Sequence, residues 1–266
     1  MPSFVIMALS NYARVSEILG YPFYRLFNLI IMSKTFEKYW WKLLRKADPA
    51  YHNSKTSWSQ QGEDLIIDFI FSSHLGLRMP SYLDIGANHP SSLNNTYLFY
   101  KKGCRGVSIE PDPNLFQLLN KKRPGDINLN LGISDEDKEL DFYMMSSSTL
   151  NTFSKTTAEE YSLNKHFGCP EIVGVKKIRT VPVNTILEKY FKTSVNYFIS
   201  IDVEGWDFEV LSAVDFNKYR PAVLCIETNA YSGNNVDKYK LLLADAGYIP
   251  YADTSINSIF LNKERV

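Results

Sequence analysis

Four acids close short apolar runs in this chain. Asp84 stands two residues before the turn glycine Gly86, Glu110 ends Gly106–Ile109, Asp202 ends Tyr197–Ile201, and Glu227 ends Ala222–Ile226. Gly86 lets the backbone pass close to a ligand where a side chain would block it. An acid at the tip of the next strand, Glu110, can accept both hydroxyls of a ribose. A dinucleotide would need three glycines in the pattern G-x-G-x-x-G to seat its pyrophosphate on a helix N-terminus. The turn here, Asp84-Ile85-Gly86-Ala87-Asn88-His89-Pro90, has one. Asp84 would repel a pyrophosphate but suits a ligand that carries an amino group and a sulfonium charge. These residues predict a site for S-adenosylmethionine, against the plainer reading of a tight turn.

The second pair of strand ends suggests the chemistry. Methyl transfer to a hydroxyl requires the acceptor oxygen to be held near the methyl and relieved of its proton. Asp202, Glu227 and Asn229 offer hard oxygen ligands for Mg²⁺ or another divalent metal, which would lower the pKa of a bound hydroxyl. The placement is similar to that in catechol-type O-methyltransferases, whose ligands come from the ends of the same two strands. It departs from them in Glu204 and in Glu-Thr-Asn standing where they have adjacent Asp-Asn. In the other arrangement a side chain is the base. His89, beside the cofactor turn, titrates in the useful range, although a histidine before Pro90 also reads as loop packing. Asp202 alone, with Glu204 orienting it or the substrate, is the third reading.

The elements that must carry these residues read as an α/β fold. Strands are expected at Ser81–Ile85, Gly106–Ile109, Ile127–Ile133, Tyr197–Ile201 and Ala222–Ile226, and a terminal hairpin at Tyr248–Ala252 and Ser258–Leu261 makes seven. Helices are expected from the Gly86 turn to about Lys102 and over Leu65–Phe71, Asn114–Lys122, Val183–Tyr190, Trp206–Val214 and Val236–Ala246. Leu140–Met145 returns as a further strand. Residues 146–180 exceed the minimal fold and read as a hydroxyl-rich loop, a helix and a basic strand. Insertions at a ligand edge commonly wall the substrate.

Residues 58–113 (WSQQGEDLIIDFIF…YLDIGANHPSSLNNTYLFYKKGCRGVSIEPDP), SSTLNTFS at 147–154, VPVNTIL at 181–187, ISIDVEGWDFEVLSAV at 199–214 and IETN at 226–229 resemble the FkbM-type S-adenosylmethionine-dependent methyltransferases. DIGAN, IEP and DVEG in that order are specific, and the resemblance spans about residues 58–263. It implies a class I methyltransferase (Rossmann-like) fold, with a mostly parallel seven-stranded sheet flanked by helices. It also implies O-methylation of hydroxyls on sugars or polyketide-like products. By motif, Asp84, Gly86, Ala87, Asn88, Glu110 and Pro111 would hold the cofactor. Class I geometry would put Ile133, Ser134 and Asp135 beside the adenine. Gln61 and Glu63 lie in a segment that abuts the cofactor pocket in that family, and the acids there otherwise favour a helix N-terminus.

The 266 residues suit one large domain, 51–266, behind a helical, basic and aromatic extension, 1–50. Lys plus Arg and Asp plus Glu number 29 each, so no basic field invites nucleic acid. Three cysteines without a C-x-x-C pair fit a cytoplasmic protein without disulfides. The extension holds seven basic residues (Arg14, Arg25, Lys34, Lys38, Lys42, Arg45 and Lys46) against Glu17 and Glu37. Its apolar run Leu26–Met32 is too short to span a bilayer. The segment suits a peripheral contact with an anionic membrane, or a helical cap or dimer contact, which leaves an oligomer open. Tyr161 and Lys165 have the spacing of a reductase base, but they sit in the insertion and read as coincidence. The expected activity is O-methylation of a saccharide or glycoconjugate hydroxyl. The alternatives are a lipid-linked or small natural-product acceptor at the membrane face, and a non-catalytic S-adenosylmethionine-binding module.

Overall fold

The computed structural model describes residues 53–228 and 236–265, with Tyr39, Lys42 and Ala50. The expected helical extension, apart from those three positions, and Asn229 lie outside the described residues. Runs such as Tyr197–Ile201 and Val223–Ile226 are buried on both faces, the pattern of strands inside a parallel sheet. In chain order the first half contains α1 (Glu63–Phe69, continued by a π-helical turn at Ile70–His74), β1 (Ser81–Ile85), α2 (Tyr97–Lys102), β2 (Val107–Ile109), α3 (Pro113–Lys122), β3 (Ile127–Leu129), β4 (Gly132–Ser134) and β5 (Lys138–Met145). There follow α4 (Lys155–Leu163), β6 (Ile172–Pro182), α5 (Val183–Tyr190), β7 (Tyr197–Ile201), α6 (Asp207–Ser212), β8 (Val223–Glu227), α7 (Val236–Asp245), β9 (Tyr248–Asp253) and β10 (Asn257–Asn262).

Seven strands join in the order β3-β2-β1-β7-β8-β10-β9. The first five are parallel, and the β9–β10 hairpin closes the sheet antiparallel. Leu83, Ile85, Ile199 and Ile201 face a core with Val183, Leu187, Val210 and Leu211. Tyr82, Phe198, Val223 and Cys225 face the other core, with Ile67, Phe71 and Phe99. Register decides where ligands can meet the sheet: Ile85 pairs with both Ile109 and Ile201, and Ile201 with Ile226. Four strand tips therefore end level, and the residue after each opens at one edge.

Two expected elements differ. The helix after Gly86 starts only at Tyr97, because residues 88–96 satisfy their own backbone: His89 Nδ1 accepts from Ser91 and Ser92 N–H, Asn94 Nδ2 bonds Ala87 O, and Thr96 N–H bonds Asn94 Oδ1. The third strand ends at Leu129 instead of Ile133. Asn130 Nδ2 bonds Glu110 O and Pro111 O, both at 2.9 Å, which turns the chain. Gly132–Ser134 then joins a separate sheet, β4-β6-β5. Beneath β1, Arg123 is fully buried, paired with Asp126 at 2.8 Å and bonded to Asn94 Oδ1 and Thr96 Oγ1. No described helix is long and apolar enough to cross a membrane.

Candidate active site

The strand tips enclose a cleft of about 960 Å³, open mouth included. At its floor Gly86 adopts φ 83°, and a Cβ there would lie 1.8 Å from Asp202 O, so β1 and β7 can meet only at a glycine. Gly86 and Ala87 N–H both donate to Ile109 O at 3.0 Å, fastening the turn to β2. Glu110 receives Asn88 N–H on Oε2 (2.6 Å) and Asp112 N–H on Oε1 (2.8 Å). Burial pushes its pKa up to about 8, against the pull of those two N–H groups. Each carboxyl oxygen retains acceptor capacity for a ligand hydroxyl.

Next to Glu110 the cleft is apolar, lined by Ile109, Ile133, Phe142 and Phe153. The two phenylalanine rings lie 4.8 Å apart, tilted by 52°. Gly132 makes room for them, since a Cβ there would stand 2.4 Å from the Phe153 ring. A carboxyl beside a slot walled by aromatic rings fits a ribose and its base. Ile133 lines the cleft from β4 of the second sheet and not from the end of the third strand, and Ser134 and Asp135 are not among the cleft residues. Ser134 Oγ bonds Thr180 Oγ1 and Glu136 O. Asp135 is exposed and bonded to Lys138 at 2.6 Å, which holds its pKa low. The strand break at Asn130 carries both into the second sheet.

Several other expected site residues support the walls. Asp84 turns under the loop and accepts from Thr96 Oγ1 (2.6 Å) and Asn94 Nδ2 (3.3 Å), with Arg123 at 3.8 Å. Burial raises its pKa, and Arg123 opposes the rise. Gln61 is exposed and donates its N–H to Glu63 Oε2, while its neighbour Gln60 lines the cleft. Glu63 is fully buried and accepts on Oε1 from Thr254 Oγ1 and Asn257 Nδ2. His89, its Nδ1 engaged by two backbone N–H groups, is not among the cleft residues.

In the same cleft as Glu110 stand Asp202, Glu204 and Glu227, each with an oxygen within 4.8 Å of the others. Burial and the charge of Asp202 hold Glu227 well above the usual carboxylate range. Burial, then the charges of Asp207 and Asp84, push Asp202 up to about 7. Burial and Asp202 raise Glu204. Asp207, at the start of α6, accepts from Val203 and Gly205 N–H and so folds the loop that presents the trio. This end can attract a cation and accept a proton near neutrality, and three carboxyl oxygens so placed could also ligate a divalent ion. The insertion supplies the roof. Ser148, Thr149, Asn151 and Phe153 line the cleft, and Asn88 Nδ2 bonds Ser148 O at 3.1 Å. Trp206 forms a side wall.

A strand order of this kind, with the cleft at the level tips of its parallel strands, defines a class I methyltransferase. The model of the FkbM methyltransferase domain matches residues 84–250, and the chain belongs to that family, whose members take S-adenosylmethionine. No curated protein sequence matches it. Among solved structures, the 1,6-didemethyltoxoflavin-N1-methyltransferase of Burkholderia thailandensis, with 1,6-didemethyltoxoflavin and S-adenosylhomocysteine bound, is similar at 11% identity. That match covers 85% of this chain and 88% of that one, with a TM-score of 0.36. A TehB-like SAM-dependent methyltransferase from Corynebacterium glutamicum is similar at 12% identity over 84% and 96%, with a TM-score of 0.38.

Glu110 is the cofactor-side residue with the clearest expected effect. Glu110→Ala removes the acceptor of two loop N–H groups together with the expected ribose contact. Two hydrogen bonds to the ribose at about 1–1.5 kcal/mol each imply about 30- to 100-fold weaker binding of S-adenosylhomocysteine by titration calorimetry. A loss below fivefold would place the ribose elsewhere.

Proposed function

We propose that this protein transfers a methyl group from S-adenosylmethionine to a hydroxyl of a saccharide or glycoconjugate, with Asp202 as the proton acceptor. The carrying observation is that the Asp202–Glu204–Glu227 trio lines the same cleft as Glu110. Gly86, Glu110, Pro111 and Ile133 would hold the cofactor, which supplies the electrophilic methyl. The acceptor oxygen forms a bond to the methyl carbon as the sulfur–methyl bond breaks; the hydroxyl proton passes to an Asp202 oxygen, and S-adenosylhomocysteine leaves. A carboxyl near pKa 7 is matched to this task. Asn88, Ser92, Ser148 and Thr149, with Trp206, offer hydroxyl-bonding groups and a ring, which suits a polyhydroxyl acceptor.

The same trio suits a second reading, in which Mg²⁺ held by Asp202, Glu204 and Glu227 lowers the pKa of the acceptor hydroxyl. A transfer assay with isotopically labelled methyl, across soluble saccharides and lipid-linked acceptors, tests the proposal. The expected product is a methyl ether on a saccharide, with kcat/KM falling tenfold per pH unit below about 7 and unchanged by EDTA. Activity lost in EDTA and restored by Mg²⁺ would transfer the role to the metal. Intact S-adenosylhomocysteine binding without transfer to any acceptor would overturn the enzymatic reading and leave a binding module.

A further inference from the structure

The loop that presents Glu204 is strained, and what holds it comes from the insertion. Glu204 has φ 53° and Gly205 φ 98°. A non-glycine residue in that region is strained and persists only where its surroundings fix it. Three residues of the insertion do so. Thr152, almost fully buried, donates through Oγ1 to Glu204 O at 2.9 Å. Tyr161 on α4 donates its hydroxyl to Glu204 Oε2 at 2.6 Å. Thr157, one helical turn earlier, lies against Gly205, where a Cβ would stand 3.2 Å from its Oγ1. Tyr161 is itself fixed, edge-on to Phe167 at 5.1 Å and packed with Met145, Leu150 and Ala158. The segment that roofs the cleft through Ser148 and Asn151 therefore also grips one of its acids.

We propose that Tyr161 is a positioning residue: with Thr152 behind it, the insertion holds the Glu204 carboxyl in the acid trio and so couples the acceptor side of the cleft to the proton-accepting group. This rests on the hydroxyl-methylation reading above. Without the Tyr161 hydroxyl the Glu204 carboxyl loses its anchor, while Thr152 still holds the Glu204 backbone.

Tyr161→Phe keeps the ring and deletes the bond. A crystal structure of the variant, which needs no acceptor, is expected to show the Glu204 carboxyl turned away from Asp202 and Glu227. In the methyl-transfer assay kcat should fall about tenfold while KM for S-adenosylmethionine stays within twofold. Thr152→Val, which removes the carbonyl contact, should lower kcat severalfold in the same assay. A Glu204 carboxyl left in place in Tyr161→Phe would overturn the proposal whatever the assay gave. A displaced carboxyl together with absent methyl transfer in the wild type would leave the clamp standing and remove the hydroxyl reading alone.

Discussion

Asp202→Asn is expected to lower kcat by about 10²–10⁴-fold while S-adenosylhomocysteine affinity stays within about twofold. The substitution keeps the side-chain volume and one carbonyl oxygen at the end of β7 but removes the carboxylate proposed to take the acceptor's proton. The wild-type rate should climb up to about pH 7 and then level, since Asp202 is protonated below that and cannot act as a base. The variant's residual rate should be flat through the same range. Stability supplies an independent readout. A carboxyl raised from 3.8 to about 7 holds its proton in the folded state, so its contribution is fully present below 3.8 and is lost progressively as pH rises from there through about 7. That shift corresponds to about 4 kcal/mol at most. The asparagine variant should melt near the wild type below about pH 4 and above it at pH 8. A variant retaining more than a third of wild-type kcat would exclude Asp202 as the base.

The second large effect falls on Gly86. Gly86→Ala puts a methyl 1.8 Å from Asp202 O and 2.9 Å from Asp202 C, both backbone atoms, at a φ of 83° that alanine disfavours. Neither atom can retreat without separating β1 from β7, whose register runs through Ile85 and Ile201. That movement would carry Asn88 N–H off Glu110 and displace Asp202 together. S-adenosylhomocysteine binding should weaken by more than 100-fold, and Tm should fall by about 10 °C if the rearrangement costs about 3 kcal/mol. Gly174→Ala, where an added Cβ meets nothing within 4 Å, should leave both unchanged. Equal affinities in the two variants would mean that the β1–β7 junction does not shape the pocket.

Much of the fold was legible because its central strands are buried on both faces and so are predominantly apolar, with few polar interruptions. Tyr197–Ile201 and Ser81–Ile85 could be bounded to the residue. Glu110, Asp202, Glu204 and Glu227 could be placed for a related reason: a residue after a parallel strand has one edge to occupy. The errors have a different origin. Asn130 redirects the third strand by side-chain bonds to Glu110 and Pro111 carbonyls, which hydrophobic periodicity does not register. Asp135 reads like a cofactor acid until its bond to Lys138 is seen. Phe142 and Phe153 reach the cleft only once the second sheet has formed. The Tyr161–Glu204 bond joins residues 43 apart across an insertion, and no local pattern announces it.

The position of β10 bears on how this chain is made. Among the described strands it emerges last from the ribosome, yet it belongs inside the sheet, between β8 and β9. Until it arrives β8 has an open edge, and the buried Glu63 lacks Thr254 and Asn257, nearly two hundred residues downstream. The central pair β1 and β7 is likewise separated by more than a hundred residues. Helices and local turns can settle during synthesis, but the sheet must assemble as a late, concerted event, slowed by the distances it has to close. For most of its translation the nascent chain thus carries apolar strands that have not yet met their partners, and the ligand cleft at their tips can form only after the last of them has joined.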